Sequence, residues 1–149
     1  MEQWIREEML LGADAMARLA ESHVAVFGIG GVGSFCAEAL ARGGVGELTL
    51  VDHDAVSLSN LNRQLCALHS TLGQGKAAVM ARRIAEINPT CRVHVLEKLY
   101  CEQEKAAFST SQYDYIVDCI DMVSSKLSLI QEAMARGIPI LSAMGTGNK

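Results

Sequence analysis

Residues 23–52 read HVAVFGIGGVGSFCAEALARGGVGELTLVD, and this stretch decides the fold. An apolar run, His23 to Phe27, stops at Gly28-Ile29-Gly30-Gly31-Val32-Gly33. An alanine-rich helical pattern follows from about Ser34 to Arg42, closed by Gly43-Gly44, and a second apolar run ends at Asp52. This is strand, glycine-rich turn, helix, strand. Gly28 permits the tight turn, Gly30 lets backbone approach a phosphate, and Gly33 lets the helix pack closely on the strand. The opening turn of such a helix offers unpaired N–H groups and the positive end of its dipole to an anion. Asp52, about 20 residues beyond the turn, stands where an acid binds ribose hydroxyls. The pattern implies a bound nucleotide without saying which one.

Outward from this unit, the spacing continues to alternate. A long polar connection, Asp52 to Lys76, is of a length that in compact domains is functional or mobile. A helix is expected over about 75–87, with Ala78, Val79, Ile84 and Ile87 apolar and Asn88-Pro89 as its stop. Cys91 to Leu96 alternates as a strand, Glu102 to Phe108 reads as a short helix, and Tyr113 to Ile120 as a strand. Ser124 to Arg136 reads as a helix with Leu127, Ile130 and Met134 inward and Gly137 as its C-cap; Ile138 to Ala143 is a last strand. Strands alternating with helices predict an α/β, Rossmann-like, doubly wound and mainly parallel sheet with helices on both faces. Residues 1–22 form a helical lead-in, in which Trp4, Ile5, Met9 and Leu10 could share a face and Asp14 could cap a helix over 15–20. Residues 23–149 are the nucleotide-binding domain. The chain ends in Gly145-Thr146-Gly147-Asn148-Lys149 directly after a strand, so it reads as the N-terminal portion of a longer protein.

Composition narrows the classes. The 149 residues suit one domain, and with half of them hydrophobic a core can be built. A net charge of −4 provides no overall basic footprint for nucleic acid. Five cysteines argue for reduced thiols in a cytoplasmic protein and against a disulfide framework, and without a CxxC pair no zinc site can be read from them. The charged start, MEQWIREEMLLG, is neither signal peptide nor membrane span. His23, His53, His69 and His94 have no metal spacing and read as structural.

Two cations and one acid supply the chemistry. Arg63, in SNLNRQ on the long connection, has a fork that can hold phosphate oxygens bidentately; Lys76, in GQGK at the next helix start, can reach phosphate as a point charge. A triphosphate needs more positive charge than a dinucleotide's diphosphate does. Asp121, just past the 113–120 strand, stands at the carboxyl edge of the sheet, where it could hold Mg²⁺ or simply cap a helix. Asp118, inside that strand, is a weaker metal candidate. Ser34 is a helix-start residue whose backbone can touch phosphate.

GIGGVG, LTLVDHD, SNLNRQ, GQGK and DCID, in this order, resemble the ubiquitin-activating-enzyme-like adenylyltransferases, the ThiF/MoeB/HesA group, along nearly the whole chain from His23 to Ala143. IREEMLLG, NRQLCALHSTLGQGK and SAMGTGNK look like the branch that dehydrates tRNA threonylcarbamoyladenosine. The resemblance implies a homodimeric enzyme that binds ATP and Mg²⁺ and adenylates a carboxylate, here the threonylcarbamoyl group of a tRNA, leading to dehydration and ring closure. By position, Gly28, Gly30, Gly31 and Gly33 would line the phosphates, Asp52 would hold the ribose, and Asn60, Arg63 and Gln64 would form the phosphate-contacting loop. Lys76 would neutralise charge, Asp121 would hold the metal, and Arg6 would reach a neighbouring subunit's site. Arg63, Lys76 and Asp121 would be catalytic. The family continues for another domain's worth of sequence, so a shortened chain would bind nucleotide weakly and turn over poorly. Two other enzymatic readings stay open: adenylation of the C-terminus of a ubiquitin-like sulfur-carrier protein, with a sulfur-transfer partner, and an NAD-dependent oxidoreductase, which the glycine turn and Asp52 fit equally. A non-catalytic nucleotide-binding module is the third alternative.

Overall fold

A computed structural model describes residues 2–108 and 113–145. Five strands, β1 (His23–Phe27), β2 (Glu47–Val51), β3 (Arg92–Leu96), β4 (Tyr115–Asp118) and β5 (Ile140–Ser142), form one parallel sheet in the order β3-β2-β1-β4-β5. The helices are α1 (Ile5–Leu11), α2 (Ala13–Glu21), α3 (Gly33–Arg42), α4 (Lys76–Ile87) and α5 (Val123–Arg136). The strand order reverses between β1 and β4, which opens a crevice at their carboxyl ends. The expected Rossmann-like architecture is therefore the one observed.

Strand alternation sorts the core into two layers. Val24, Val26, Leu48, Leu50 and Val117 face α3 and α4, which bury Ala37, Ala41, Met80 and Ile84 against them. Ala25, Phe27, Val51 and Ile116 face the other way, toward Tyr100, Phe108 and the α5 residues Leu129 and Ala133. The small residues of α3 let it lie close on β1. Each fully buried leucine or isoleucine here contributes about 1.5–3 kcal/mol of transfer free energy.

Three local expectations are corrected. Helix α2 starts at Ala13, with Gly12 at φ +83° before it, so Asp14 lies inside the first turn and not at the cap. Trp4 alone of the proposed lead-in face is buried; Met9 and Leu10 are 82% and 86% exposed. Trp4 is held because its indole N–H donates to the Arg42 carbonyl at 2.7 Å, at the C-terminal end of α3. On α5, Leu127 and Met134 face outward, while Ser125, Lys126, Leu129 and Ala133 face inward. The helix carries apolar residues on two sides, and its rotation follows the burial of Lys126 against Asp118. The 102–108 segment is a 3₁₀ helix. The terminal residues 146–149, part of the glycine-rich ending, lie outside the described residues.

Strand ends position the rest. Gly46 N–H donates to Leu19 O and Glu47 N–H to Ser22 O, so the lead-in docks at the amino edge of the sheet, opposite the crevice. Among the described residues no helix is long and apolar enough to cross a membrane.

Candidate nucleotide site

The crevice at the carboxyl ends of β1, β2 and β4 is a cleft of about 920 Å³. That is at the upper end of the range for small-molecule sites. Its floor is the glycine turn. Gly28 has φ +89°, and a methyl there would stand 2.5 Å from the Cys119 carbonyl oxygen. A methyl on Gly33 would overlap the Gly28 carbonyl oxygen. Both glycines are thus required by the fold. Gly30 and Gly31 are different: a methyl there would make ordinary contacts, with the Gln64 side chain from 3.5 Å and with Arg63, side chain and carbonyl oxygen, from 3.6 Å. Their missing side chains leave open space in the cleft, as close approach of a ligand to backbone requires.

Helix α3 opens on this turn with Val32 at its N-cap and no side-chain cap. Of its first-turn N–H groups, that of Ser34 donates to Gly30 O at 3.1 Å; the helix dipole favours an anion at this opening. The Ser34 hydroxyl, fully buried, donates to Gly30 O at 2.6 Å and accepts from Leu65 N–H at 3.2 Å. It joins the glycine turn to the segment carrying Arg63 and Gln64; the Ser34 N–H, expected to touch phosphate, also donates to Gly30 O, at 3.1 Å.

The long connection is packed, not loose. Its ends are laced by Val56 N–H to Gln74 O, Gly73 N–H to Val56 O and Lys76 N–H to Asp54 O. Val56, Cys66 and Ala67 are buried in the α3–α4 layer. Asn60 is buried too, but its Oδ1 accepts from Ser57 N–H at 2.9 Å, which shapes the loop; it is not among the cleft's lining residues. Arg63 lies exposed on the cleft wall beside Gly31, its guanidinium donating to Ser59 O and Asn62 Oδ1. Gln64 is buried and lines the cleft next to Gly30.

Asp52 lines the cleft with its carboxylate fixed from two sides: Ile29 N–H donates to Oδ2 at 2.7 Å and Asp54 N–H to Oδ1 at 2.8 Å. Lys76 is buried behind this wall and does not line the cleft; its ammonium lies 3.4 Å from Asp54 Oδ2. Asp121 is exposed at the cleft edge beyond β4. Arg6, on α1 at the amino edge, lies at the far end of the sheet from its own cleft. Asp52, His53 and Asp54 bring three ligand atoms within 4.8 Å of one another, a second potential cation site that the sequence reading passed over.

Other features escaped the sequence reading. Lys98 lines the cleft from the segment after β3, and Leu99, Tyr100, Ile120 and Met122 give it apolar walls. Asp118, weighed as a metal ligand, is fully buried and committed elsewhere: Lys126 Nζ lies 2.7 Å from Oδ2, Ser142 Oγ 2.5 Å from the same oxygen, and Ile120 N–H donates to Oδ1 at 3.0 Å. Only the fold brings Lys126 to it, so no local signal marked the pair. The cleft thiol, Cys119, is no nucleophile at neutral pH: burial, then the neighbouring Cys36 and Asp118, push it up to about 12.

The family model described as ThiF family matches residues 5–149. The chain is 47% identical over 149 residues to the tRNA threonylcarbamoyladenosine dehydratase of Bacillus subtilis, covering all of this chain and 59% of the relative. It is 44% identical over 140 residues to the enzyme of that name from Escherichia coli, covering 94% of this chain and 52% of the relative. The crystal structure of the Escherichia coli enzyme in complex with ATP superposes with a TM-score of 0.96 at 41% identity, over 99% of this chain and 61% of that one. The chain thus spans just over half the length of the curated relatives it matches.

Proposed function

The chain belongs to the ThiF family, and from that premise we propose that it forms the nucleotide-binding part of an ATP-dependent adenylating enzyme. Its substrate is the carboxylate of the threonylcarbamoyl group on a tRNA. The observation that carries the reading is the start of α3, without a side-chain cap, behind Gly30 and Gly31, with the exposed Arg63 side chain beside Gly31 on the cleft wall. That arrangement suits a polyphosphate: the positive end of a helix at the turn and a bidentate cation next to it. Asp52, held by two backbone amides, is set for ribose hydroxyls, and Leu99, Ile120 and Met122 offer apolar surface to a base.

In adenylation a carboxylate oxygen attacks the α-phosphorus of ATP, the new O–P bond forms, and the bond to pyrophosphate breaks. The carboxylate becomes an acyl-AMP, and attack from within the same group then closes the ring with release of AMP, a net dehydration. No protein nucleophile is needed, which accords with an inert Cys119. The chain's residues supply orientation and charge. Arg63 and the α3 N–H groups stabilise negative charge as it moves onto the leaving phosphates. Lys76 acts indirectly, holding Asp54 and with it the wall next to Asp52. An oxygen donor at the cleft edge fits Mg²⁺, which takes one or two carboxylates plus phosphates, so Asp121 would hold it. Bound there, the ion would supply Lewis-acid neutralisation of phosphate charge. Gly28, Gly33, Asn60 and Gln64 build the site. Arg6, far from its own cleft, would serve a neighbour's in a homodimer. We place the protein in the reducing cytoplasm, in keeping with its free cysteines.

Calorimetric titration with ATP·Mg²⁺, AMP and NAD⁺ tests the binding half of this reading. A preference for ATP that falls at least tenfold in Arg63→Ala supports it; a preference for NAD⁺ unaffected by that change sinks it in favour of the oxidoreductase. Pyrophosphate release that depends on added threonylcarbamoylated tRNA tests the chemistry. Release stimulated instead by a ubiquitin-like sulfur-carrier protein would redirect the substrate.

A further inference from the structure

Two histidines that share no metal spacing in the sequence meet at the amino end of the sheet. The parallel register places His23 of β1 beside Glu47 of β2, and Thr49 of β2 beside His94 of β3. Strand alternation then puts all four on one face. His94 Nε2 lies 2.7 Å from Glu47 Oε1, and His23 Nδ1 lies 3.8 Å from the same oxygen. The three ligand atoms are all within 4.8 Å of one another, and the two imidazole centroids are 5.7 Å apart.

Each inner group is oriented by an outer partner. The buried Thr49 hydroxyl meets His23 Nε2 at 2.8 Å, which turns Nδ1 toward Glu47. The Tyr113 ring packs edge-on against the His23 ring at 5.0 Å. Arg92 Nη2 donates to the other Glu47 oxygen, Oε2, at 2.6 Å, leaving Oε1 to the histidines. Outer partners of this kind fix tautomer and aim in metal sites.

We propose that His23, Glu47 and His94 form a binding site for a divalent transition ion of the Zn²⁺ class. Zinc bonds of about 2.0–2.1 Å in tetrahedral geometry space the donors about 3.3 Å apart. The observed 2.7 and 3.8 Å bracket that spacing and the two ring nitrogens lie within 4.8 Å of each other, so rotation of the exposed His94 side chain can close the three donors on one ion. Two imidazoles and one carboxylate suit Zn²⁺; Mg²⁺ and Ca²⁺ favour all-oxygen sets. His94 is exposed on the outer strand, which gives the ion an entry route and leaves a fourth position for water. Without metal, His94 Nε2–H donates to Glu47 Oε1. With metal, the Nε2 lone pair binds the ion and the ring proton resides on Nδ1. The bound ion clips three adjacent strands at the edge opposite the nucleotide cleft, and the site stands or falls independently of the nucleotide reading.

The test is titration of chelator-washed protein with Zn²⁺ against a chromophoric zinc indicator, repeated with Co²⁺. Free cysteines are rival ligands in this chain, so the cobalt spectrum discriminates. The expected result is one equivalent bound, visible d–d bands without a sulfur-to-cobalt charge-transfer band, and at least tenfold weaker binding in H94Q and H23Q. Binding in H69Q, at an exposed histidine on the long connection, stays at the wild-type level. Zn²⁺ raises Tm of the wild type but not of H94Q. Because His94 is exposed, H94Q keeps the test decisive even if H23Q fails to fold. Substoichiometric binding, a thiolate band, or wild-type affinity in H94Q would overturn the proposal and leave Arg92, Glu47 and His94 as a surface ion-pair network.

Discussion

Replacing Lys126 by methionine removes one half of a buried ion pair and keeps most of the volume. Lys126 is 5% exposed and Asp118 not at all. The ammonium touches Asp118 Oδ2 at 2.7 Å, Ala143 O at 2.8 Å and Ser142 Oγ at 3.3 Å, binding β4, α5 and the end of β5 at one point. Without it, Asp118 keeps, among the described residues, the Ser142 hydroxyl and the Ile120 amide, and a buried carboxylate faces a thioether. Breaking a buried pair in this way costs about 3–5 kcal/mol. For a domain of this size each kcal/mol lowers Tm by about 2–4 °C, so the expected fall is roughly 6–20 °C. Total stabilities run about 5–15 kcal/mol, so the variant should stand near the edge of folding.

Urea unfolding followed by far-UV circular dichroism measures this; the single tryptophan, Trp4, sits in the lead-in and reports on the wrong region. The double variant D118N/K126M should recover much of the loss. An uncharged pair of similar size removes the stranded charge, and the carboxamide oxygen introduced by D118N still accepts from Ile120 N–H. A coupling of about 2 kcal/mol or more between the two changes is expected. A loss below about 1 kcal/mol in K126M, or strict additivity in the double variant, would refute the argument that this pair is dry and fixes the β4–α5 connection.

The glycines of the turn should separate by role. Gly28→Ala and Gly33→Ala collide with backbone carbonyls and should cost about 2 kcal/mol or more, whereas Gly30→Ala should leave Tm within about 2 °C while weakening nucleotide binding at least tenfold, by thermal melts and calorimetry on the same preparations. Ser34→Ala cuts the tie between Gly30 and Leu65 and should weaken nucleotide binding several-fold with a stability loss of about 1 kcal/mol. The guanidinium of Arg83 beside Glu38, with Arg42 adding to it, holds the Glu38 carboxyl below its ordinary range and ties α3 to α4. A lowered folded-state value means that this stabilisation is present above the ordinary carboxylate value and is lost as pH falls from there through the lowered folded-state value. Glu38→Gln should therefore cost about 1 kcal/mol at neutral pH, after solvent screening of the half-exposed Arg83, and converge with the wild type in acid unfolding. Burial raises Cys91 to about 11 and Cys119 to about 12, so mass mapping after mild alkylation at pH 8 should find both largely unmodified; rapid labelling of the half-buried Cys119 would contradict its raised value.

The elements most legible in the sequence were those with a local cause. Residues 23–52 carry strand, turn and helix signals within one short unit, so the first half of the crevice could be read directly. The rotation of α5 could not, because Leu127 and Met134 make as good an apolar stripe as Leu129 and Ala133 do. What chose between them was a lysine seeking a carboxylate eight positions back, across a strand end and a turn. The Asp52–Lys76 connection read as polar and, by its length, as functional or mobile. Its packing rests on three apolar residues, Val56, Cys66 and Ala67, too widely spaced to show a period.

By itself the sequence determined that a glycine turn lies between a buried strand and a helix, and that an acid ends the next strand. These follow from backbone freedom and side-chain period, which act over a few residues. The tertiary structure alone decided that Lys76 lies behind the cleft wall and Arg63 on it, that Asp118 is committed to Lys126, and that His23, Glu47 and His94 share one face. Those are matters of sheet register and helix rotation, set by long-range burial and pairing that no local window contains.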